Sequence, residues 1–411
     1  MSTSDTLAFN PFLPEVHEDP YPLYRRLREE DPVHRSPLGM WVLTRHAEVL
    51  AVLRDPRMSR DPRRSERVEG LRASAEVDAL LSSEEAAPSM LFVDPPDHTR
   101  LRTLVNKAFT PAAVERLRPR VEVIVDGLLQ RVAGAGTMDV VEDLAYPLPV
   151  TVICELFGVP EADWGRFRAW SRRLVRLLDP LVAADALERA LEARVALRGY
   201  LRELIAKRRA RPTGDLLSAL IAAEDHGHQL SQAELVSMCV LLLVAGHETT
   251  ANLIANAILA LLRHPDQLDL LRARPELVDN CVEETLRYDA PVQMTTRAAR
   301  GVLPVGPVEV PDGGLALLLL AAAGRDPAVF PDPDRFDITR RAGGHLAFAA
   351  GSHFCLGAGL ARLESAVALD AFARRVRDPR LLEPEVEYKA NFNLRGPARL
   401  DVGFTAIAPA G

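Results

Sequence analysis

Hydrophobic and polar positions follow helical spacing over most of the chain. From 46 to about 301 almost every segment has the pattern of a helix, and so does 21–30. Short apolar runs bounded by turn residues predict strands at 308–310, 315–320 and 387–402, and a hairpin over 33–44 with its turn at 37–39. We found no internal repeat and no low-complexity linker. The pattern therefore predicts one mainly α domain over 1–411, with a little sheet near its two ends.

One apolar helix carries polar residues at its centre. It is predicted over 231–264, since Ser231 and Glu234 form a capping-box pattern and a His-Pro pair ends it. Its middle reads Ala-Gly-His-Glu-Thr-Thr over 245–250. Buried polar groups are costly without partners, so this segment indicates function, although Thr249 could also hydrogen-bond to the carbonyl one turn earlier. A zinc-protease pattern, His-Glu-x-x-His, fails because position 251 is alanine.

Composition narrows the function classes. The chain has 50 basic and 57 acidic residues and a net charge of -7, so it lacks the basic footprint of a nucleic-acid-binding protein. The N-terminus does not resemble a signal peptide, and the longest apolar run, 236–245, is too short to span a membrane. We therefore expect a cytoplasmic protein. Cys154, Cys239 and Cys281 lie in apolar helical patterns and are expected to be core residues.

The fourth cysteine lies in a different setting. Phe348-Ala-Ala-Gly351-Ser-His353-Phe-Cys355-Leu-Gly357 is a loop of small residues, and a helical pattern begins just after it. A thiolate just before a helix N-terminus is stabilised by unpaired backbone N–H groups and by the helix dipole. Glycines let such N–H groups approach the sulfur closely. The alternative is a buried free cysteine beside a turn.

This segment resembles the haem-ligand loop of the cytochromes P450, whose usual bacterial form is Phe-Gly-x-Gly-x-His-x-Cys-x-Gly. The resemblance covers nearly the whole chain, and only Ala349 departs, standing where the family usually has glycine. We expect Ala349 to be benign, with a negative φ, and Gly351 to have the unusual φ. The resemblance implies the single-domain, triangular, mainly α cytochrome P450 fold with a small β region. It also implies haem b, iron protoporphyrin IX, with Cys355 as the metal ligand.

The resemblance also assigns regions and residues to the haem site. The segment 60–93 would form a loop on the substrate side, 231–264 the oxygen-binding helix, and 345–365 the ligand loop with its following helix. Glu248 and Thr249 would form the acid–alcohol pair that relays protons beside the oxygen-binding face. The remaining haem-binding residues implied are His98, Arg102, Arg297, His353, Ala245, Gly246, Phe348 and Gly357.

Two further sets follow from the resemblance. Glu284 and Arg287, taken alone, look like an ordinary surface ion pair, but the family buries this pair against an arginine of a later loop, here expected to be Arg335. Substrate contacts would include residues for which ordinary core packing is an equal alternative: Met90, Leu91, Leu242, Ala245, Val292, Met294, Phe392 and Leu394.

The implied activity is that of a haem-thiolate monooxygenase. It would activate dioxygen and hydroxylate or epoxidise a largely apolar small molecule, such as a polyketide, terpenoid, fatty acid or steroid. Its electrons would come from a ferredoxin and an NAD(P)H-dependent ferredoxin reductase, docked near Lys107, Arg116 and Arg362. Three alternatives remain open: a peroxide-driven enzyme of the same fold, a non-catalytic haem sensor, and a structural cysteine without haem.

Overall fold

Helices make up most of the computed structural model, which describes residues 9–10, 13–65, 89–178, 184–225, 228–391 and 393–409. In chain order the α-helices are α1 Pro14–Glu18, α2 Tyr21–Glu30, α3 His46–Arg54, α4 Asp97–Ala108, α5 Pro111–Glu115, α6 Arg118–Val132, α7 Pro147–Leu156, α8 Trp164–Leu174, α9 Ala184–Ala210, α10 Leu216–Ala222, α11 Gln232–Arg263, α12 Pro265–Ala273, α13 Val278–Tyr288, α14 Leu320–Gly324 and α15 Ala358–Arg375. A π-helical turn lies at Val141–Ala145, and 3₁₀ turns lie at Pro62–Arg64, Met90–Phe92, Glu161–Asp163, Val175–Leu178, Pro275–Leu277 and Gly351–His353. The prediction of a mainly α protein is confirmed.

The strands are short. They are β1 Val33–Arg35, β2 Trp41–Leu43, β3 Met58–Ser59, β4 Thr137–Asp139, β5 Glu224–Asp225, β6 His228–Gln229, β7 Met294–Ala299, β8 Leu303–Val305, β9 Val308–Val310, β10 Leu315–Leu319, β11 Val376–Arg377, β12 Arg380–Leu381, β13 Asp401–Gly403 and β14 Ala406–Ile407. The largest sheet has the order β1-β2-β10-β7-β3 and contains the predicted hairpin. The strand predicted over 387–402 is wrong for most of its length: among its described residues only 401 and 402 belong to a sheet, in β13, while Tyr388, Leu394 and Pro397 form isolated bridges.

Helix α11 begins and ends where the sequence predicted. The Ser231 hydroxyl accepts a hydrogen bond from Glu234 N at 3.2 Å, and Ser231 N donates to the Glu234 carboxylate at 2.9 Å. The helix ends at Arg263, and Pro265 begins α12. Within the described part of the chain, α11 is the helix long and apolar enough to cross a membrane, but 72% of its apolar window is buried inside the protein. It is a core helix.

Two apolar clusters meet along α11. Its first half belongs to the same cluster as residues of α4, α7, α9 and α10, and its second half to the same cluster as residues of α6, α13 and α15. Between the halves, Ala245 and Thr249 are only partly buried and Gly246 is exposed. The polar segment of the sequence therefore faces an opening in an otherwise closed core.

The loop predicted over 60–93 is described only at its ends. A 3₁₀ turn at Pro62–Arg64 begins it, and another at Met90–Phe92 contacts α11. Its interior, 66–88, lies outside the described residues.

Candidate haem site

Cys355 lies between the 3₁₀ turn Gly351–His353 and the start of α15. Its backbone N–H donates to the Phe348 carbonyl at 2.9 Å, which closes the loop. Burial raises the pKa of the Cys355 thiol, whereas the N–H groups of Gly357 and Ala358 and the charge of Arg102 act in the opposite direction. These groups favour the thiolate, and a thiol that coordinates a metal is deprotonated outright.

The backbone at Ala349 corrects one expectation. Ala349 has a φ of +57°, in the left-handed region, so the prediction of a negative φ is wrong. Its N–H donates to the Leu346 carbonyl at 2.8 Å, so Ala349 is the last residue of a tight turn. The unusual φ predicted for Gly351 is confirmed at +71°, and a Cβ there would lie 2.5 Å from the Leu53 carbonyl oxygen.

Four basic side chains converge near the ligand loop. The rings of His98 and His353 lie 4.1 Å apart between centroids, and the charges of Arg297 and Arg60 act on His353. Burial, followed by these three neighbours, lowers the pKa of His353 to about 3. Burial lowers the pKa of Arg297 to about 10 and that of Arg60 to about 9. These groups lie in an environment that disfavours their own charge.

Within the described ranges, none of these four side chains forms a salt bridge, although the charge of Asp94 acts on His98, Arg297 and His353. The Nε2 atom of His353 is buried without a hydrogen-bond partner among the described residues. Buried guanidinium groups normally have anionic partners, so the two arginines fit a ligand that brings negative charge. The two carboxylates of haem meet that requirement.

Arg102 and Arg60 lie near this site in different settings. Arg102 lies one turn after His98 on α4 and interacts electrostatically with Cys355. The sequence analysis missed Arg60, which donates to the Thr296 hydroxyl at 2.7 Å and lies over the Phe92 ring at 5.1 Å. Arg60 stands in a polar stretch with several other arginines, so no motif distinguished it.

At the centre of α11, the structure shows the hydrogen bond of Thr249 to its own helix. Its hydroxyl donates to the Ala245 carbonyl at 2.9 Å, one turn earlier. This is the backbone hydrogen bond weighed as the alternative from the sequence. The hydroxyl oxygen keeps its acceptor capacity beside the opening at Gly246, so the bond leaves a water-binding role available.

The Glu248 side chain contacts a segment near the C-terminus. Lys389 Nζ donates to its Oε1 atom at 2.6 Å, and the side chain is buried. Burial alone would raise the pKa of Glu248, but Lys389 and then His247 outweigh that effect and hold it below its usual range. His247 is buried and donates from Nδ1 to the Leu243 carbonyl at 2.7 Å, so its Nε2 accepts from the Ser171 hydroxyl at 2.9 Å. No sequence pattern predicted that Lys389 contacts Glu248.

Half of the predicted substrate contacts come together. Met90, Leu242, Val292 and Leu394 belong to one apolar cluster, and Leu356, the neighbour of Cys355, packs against the same cluster. Val292 and Leu394 also form a β-bridge. Leu91 is half-buried beside them, whereas Met294 packs in the other cluster, and Phe392 lies outside the described residues.

The buried ion pair behind the site is present, but its second arginine is not the predicted one. Arg287 donates to both carboxylate oxygens of Glu284 at 2.7 and 2.8 Å, with neither side chain exposed. Arg340 Nε supplies the other bond at 3.2 Å, so the prediction of Arg335 is wrong. Arg335 contributes its backbone carbonyl to Arg287, while its side chain is 61% exposed and faces Asp337. The chain turns at Asp332, with a φ of +49°, and sends the Arg335 side chain outward.

Known proteins match nearly the whole length of this chain. The sequence model of the cytochrome P450 family matches residues 74–377. The chain is 46% identical to the cytochrome P450 monooxygenase PikC of Streptomyces venezuelae over 96% of this chain and 93% of that protein. It is 43% identical to the vitamin D(3) 25-hydroxylase of Pseudonocardia autotrophica over 98% of each. The crystal structure of Mycobacterium smegmatis CYP164A2 has a TM-score of 0.87 and 44% identity, covering 96% of this chain and 98% of that one.

Proposed function

Because the chain belongs to the cytochrome P450 family and is a monooxygenase that uses haem b, we propose that Cys355 is the ligand of its iron. The observation that carries this proposal is the thiol at the start of α15, near four basic side chains that form no salt bridge within the described residues. When bound, haem supplies the iron that activates dioxygen, and a thiolate ligand favours cleavage of the O–O bond.

Carbon monoxide bound to the reduced protein tests the ligand. We expect the red-shifted Soret band of thiolate ligation in the unaltered protein and its loss in Cys355→Ala. The buried Cys281→Ala is the matched control and should keep the band, because that thiol lies in the core around α13. A thiolate-type spectrum retained in Cys355→Ala would contradict the assignment.

The basic cluster is proposed to hold the haem carboxylates. The resemblance to the family implied His98, Arg102, Arg297 and His353, and Arg60 joins them because its charge acts on His353. An arginine fork matches a carboxylate, and a hydrogen bond to a charged group contributes roughly 1.5–3 kcal/mol. Arg297→Met and Arg60→Met should therefore each lose haem at least about tenfold faster to an excess of a haem-binding acceptor protein.

Glu248 and Thr249 are proposed to relay protons to the oxygen-binding side of α11. The support is a buried acid with a lowered pKa next to a partly buried alcohol, one turn from the exposed Gly246. Thr249→Ala should still bind substrate and consume NADPH, but it should divert electrons to hydrogen peroxide, whereas Thr249→Ser should not. Assistance of this kind contributes roughly a hundred- to ten-thousand-fold in rate. Product formed only from added peroxide would favour the peroxide-driven alternative, and no turnover at all would favour a sensor.

We propose a largely apolar substrate, of the polyketide, terpenoid, fatty acid or steroid kind, which the enzyme hydroxylates or epoxidises. The support is the apolar cluster of Met90, Leu242, Val292 and Leu394, together with a relative named for hydroxylating vitamin D3. Titrating such compounds and following the low-spin to high-spin Soret shift would identify binders. Polar compounds that shift the spectrum more than apolar ones would contradict this.

The proposed electron donors are a ferredoxin and an NAD(P)H-dependent ferredoxin reductase, acting in the cytoplasm. Membership of the family supports the need for electron donors. The apolar helix α11 is mostly buried inside the protein, which is in keeping with the proposed location. Steady NADPH oxidation coupled to product in the presence of both proteins is the expected result.

A further inference from the structure

Lys389 reaches α11 from a turn near the C-terminus. Within the segment 387–398, Lys389 N donates to the Gly396 carbonyl at 3.0 Å and Ala398 N donates to the Glu387 carbonyl at 2.8 Å. Gly396 packs so closely on the Asn252 side chain that a Cβ there would clash with it. This close approach fixes Lys389 against the polar part of α11.

The ammonium group of Lys389 contacts two side chains one turn apart on that helix. It donates to Glu248 Oε1 at 2.6 Å and to Asn252 Oδ1 at 2.8 Å. The Asn252 side chain is buried, and its Nδ2 atom has no hydrogen-bond partner among the described residues. Asn252 thus offers Lys389 an acceptor that does not depend on the charge of Glu248.

A partly open cavity of about 210 Å³ leads to this contact. Its charged lining groups are Glu142, Arg172, Arg176, Glu248 and Lys389, with Tyr146 and Asn391 beside them. The side chains of Arg172 and Glu142, which pair with each other, are more than half exposed. A cavity that is polar and open at one end can hold water, so Glu248 lies between solvent and the interior of α11.

We propose that Lys389 is a positioning residue of the proton relay, holding the Glu248 carboxylate toward the cavity until it takes a proton from water there. Protonation removes the negative charge that binds Glu248 to the ammonium group. The neutral acid can then turn toward Thr249, while Lys389 keeps its own protons and stays bonded to Asn252. The proton lost by the water is replaced from bulk solvent, so charge balances. This inference rests on the proposed role of Glu248.

Several groups besides Lys389 act on Glu248, and the test must separate them. His247 and Arg172 both favour its ionised form, and Tyr146 lies near enough to be affected by its charge. Lys389→Met removes only the ammonium group, Lys389→Arg restores a cation, and Lys207→Met, on the exposed last turn of α9, changes the same side chain elsewhere.

The experiment uses haem-loaded protein labelled with ¹³C at the glutamate carboxyl carbon. The Glu248 signal is identified by its absence in Glu248→Gln, and each variant is first checked for an unchanged carbon monoxide spectrum. In Lys389→Met we expect the midpoint of this signal to rise by one pH unit or more and the ratio of product to NADPH to fall several-fold. Lys389→Arg should reverse both effects, and Lys207→Met should cause neither.

Each outcome decides a separate point. An unchanged Glu248 midpoint in Lys389→Met overturns the positioning role, and so does a shifted midpoint with unchanged coupling of NADPH to product. Unchanged coupling in Glu248→Gln would instead show that the proposed relay through Glu248 is wrong, whatever Lys389 does.

Discussion

Ala349 is a strained residue in the ligand loop, with a φ of +57°. The left-handed conformation costs alanine roughly 1–2 kcal/mol, and the extra freedom of glycine in the unfolded chain costs about 0.5–1 kcal/mol. Ala349→Gly should therefore raise the free energy of unfolding by up to about 1.5 kcal/mol, measured by thermal denaturation of the haem-loaded protein.

The substitution Gly351→Ala should have the opposite effect on stability. Gly351 also has a positive φ, but an added Cβ would lie 2.5 Å from the Leu53 carbonyl oxygen. We expect it to lose haem or to show a damaged thiolate spectrum. A lower melting temperature in Ala349→Gly would mean that alanine makes contacts at this turn that outweigh its strain.

Glu364 on α15 gives stability a pH dependence. Burial raises its pKa to about 8, and its Oε2 atom has no hydrogen-bond partner among the described residues. Between the ordinary glutamate pKa of about 4.3 and this value, the folded protein holds a proton that the unfolded chain releases, so stability falls as pH rises. Glu364→Gln should remove this fall.

The melting temperature of Glu364→Gln relative to the unaltered protein should therefore increase from about pH 5 to about pH 8. Glu188→Gln, at an exposed position on α9, controls for the loss of one charge. A constant difference across this range would show that Glu364 titrates normally in the folded state.

At the scale of elements, the loop after Phe330 depends on the buried carboxylate of Glu284. Arg340 donates to Glu284 at 3.2 Å and also to the carbonyls of Asp332 and Arg335. Arg340→Met should lower the free energy of unfolding by roughly 1.5–3 kcal/mol, the usual contribution of hydrogen bonds to charged groups. Arg335→Met, at an exposed side chain, should change it by less than about 0.5 kcal/mol. Equal effects in urea denaturation would contradict this assignment.

The same loop shows what sequence patterns can and cannot predict. Glu284 and Arg287 were predicted to pair because residues three apart share one helical face. Choosing between Arg335 and Arg340 required the turn at Asp332, which no periodic pattern encodes. The false strand over 387–402 has a related cause, since Gly396 and Pro397 lie inside it and proline cannot donate to a sheet.

For the whole molecule, the boundaries of α11 and the cysteine loop could be predicted because their signals are local: a capping box, a proline and a ten-residue motif. The contacts of Lys389 with Glu248 and of Arg60 near His353 join segments far apart in the chain. Such contacts depend on how helices and turns pack, so a single sequence gives no sign of them.

The surface over Cys355 bears on how the molecule receives electrons. Phe354, its neighbour, is 41% exposed, and a cavity of about 470 Å³ between α3 and the ligand loop is lined by Phe354, Arg54 and Arg362, the last of which pairs with Glu283. Helix α5 packs on α15, which places the exposed Arg116 near the same region, and Lys107 is exposed in the last turn of α4. In a chain of net charge -7, this concentration of basic residues favours an acidic partner.

Charge reversal tests this surface. Lys107→Glu combined with Arg116→Glu should slow reduction by an acidic ferredoxin roughly tenfold at low ionic strength, because such charges mainly steer the encounter. The difference should shrink as salt rises, since the Debye length falls from about 10 Å at 0.1 M to about 3 Å at 1 M. The matched control reverses Lys207 and Arg209 on α9, which packs on α8, α10 and α11. Stopped-flow reduction that slows equally in both double variants would show that overall charge, not docking at this surface, sets the rate.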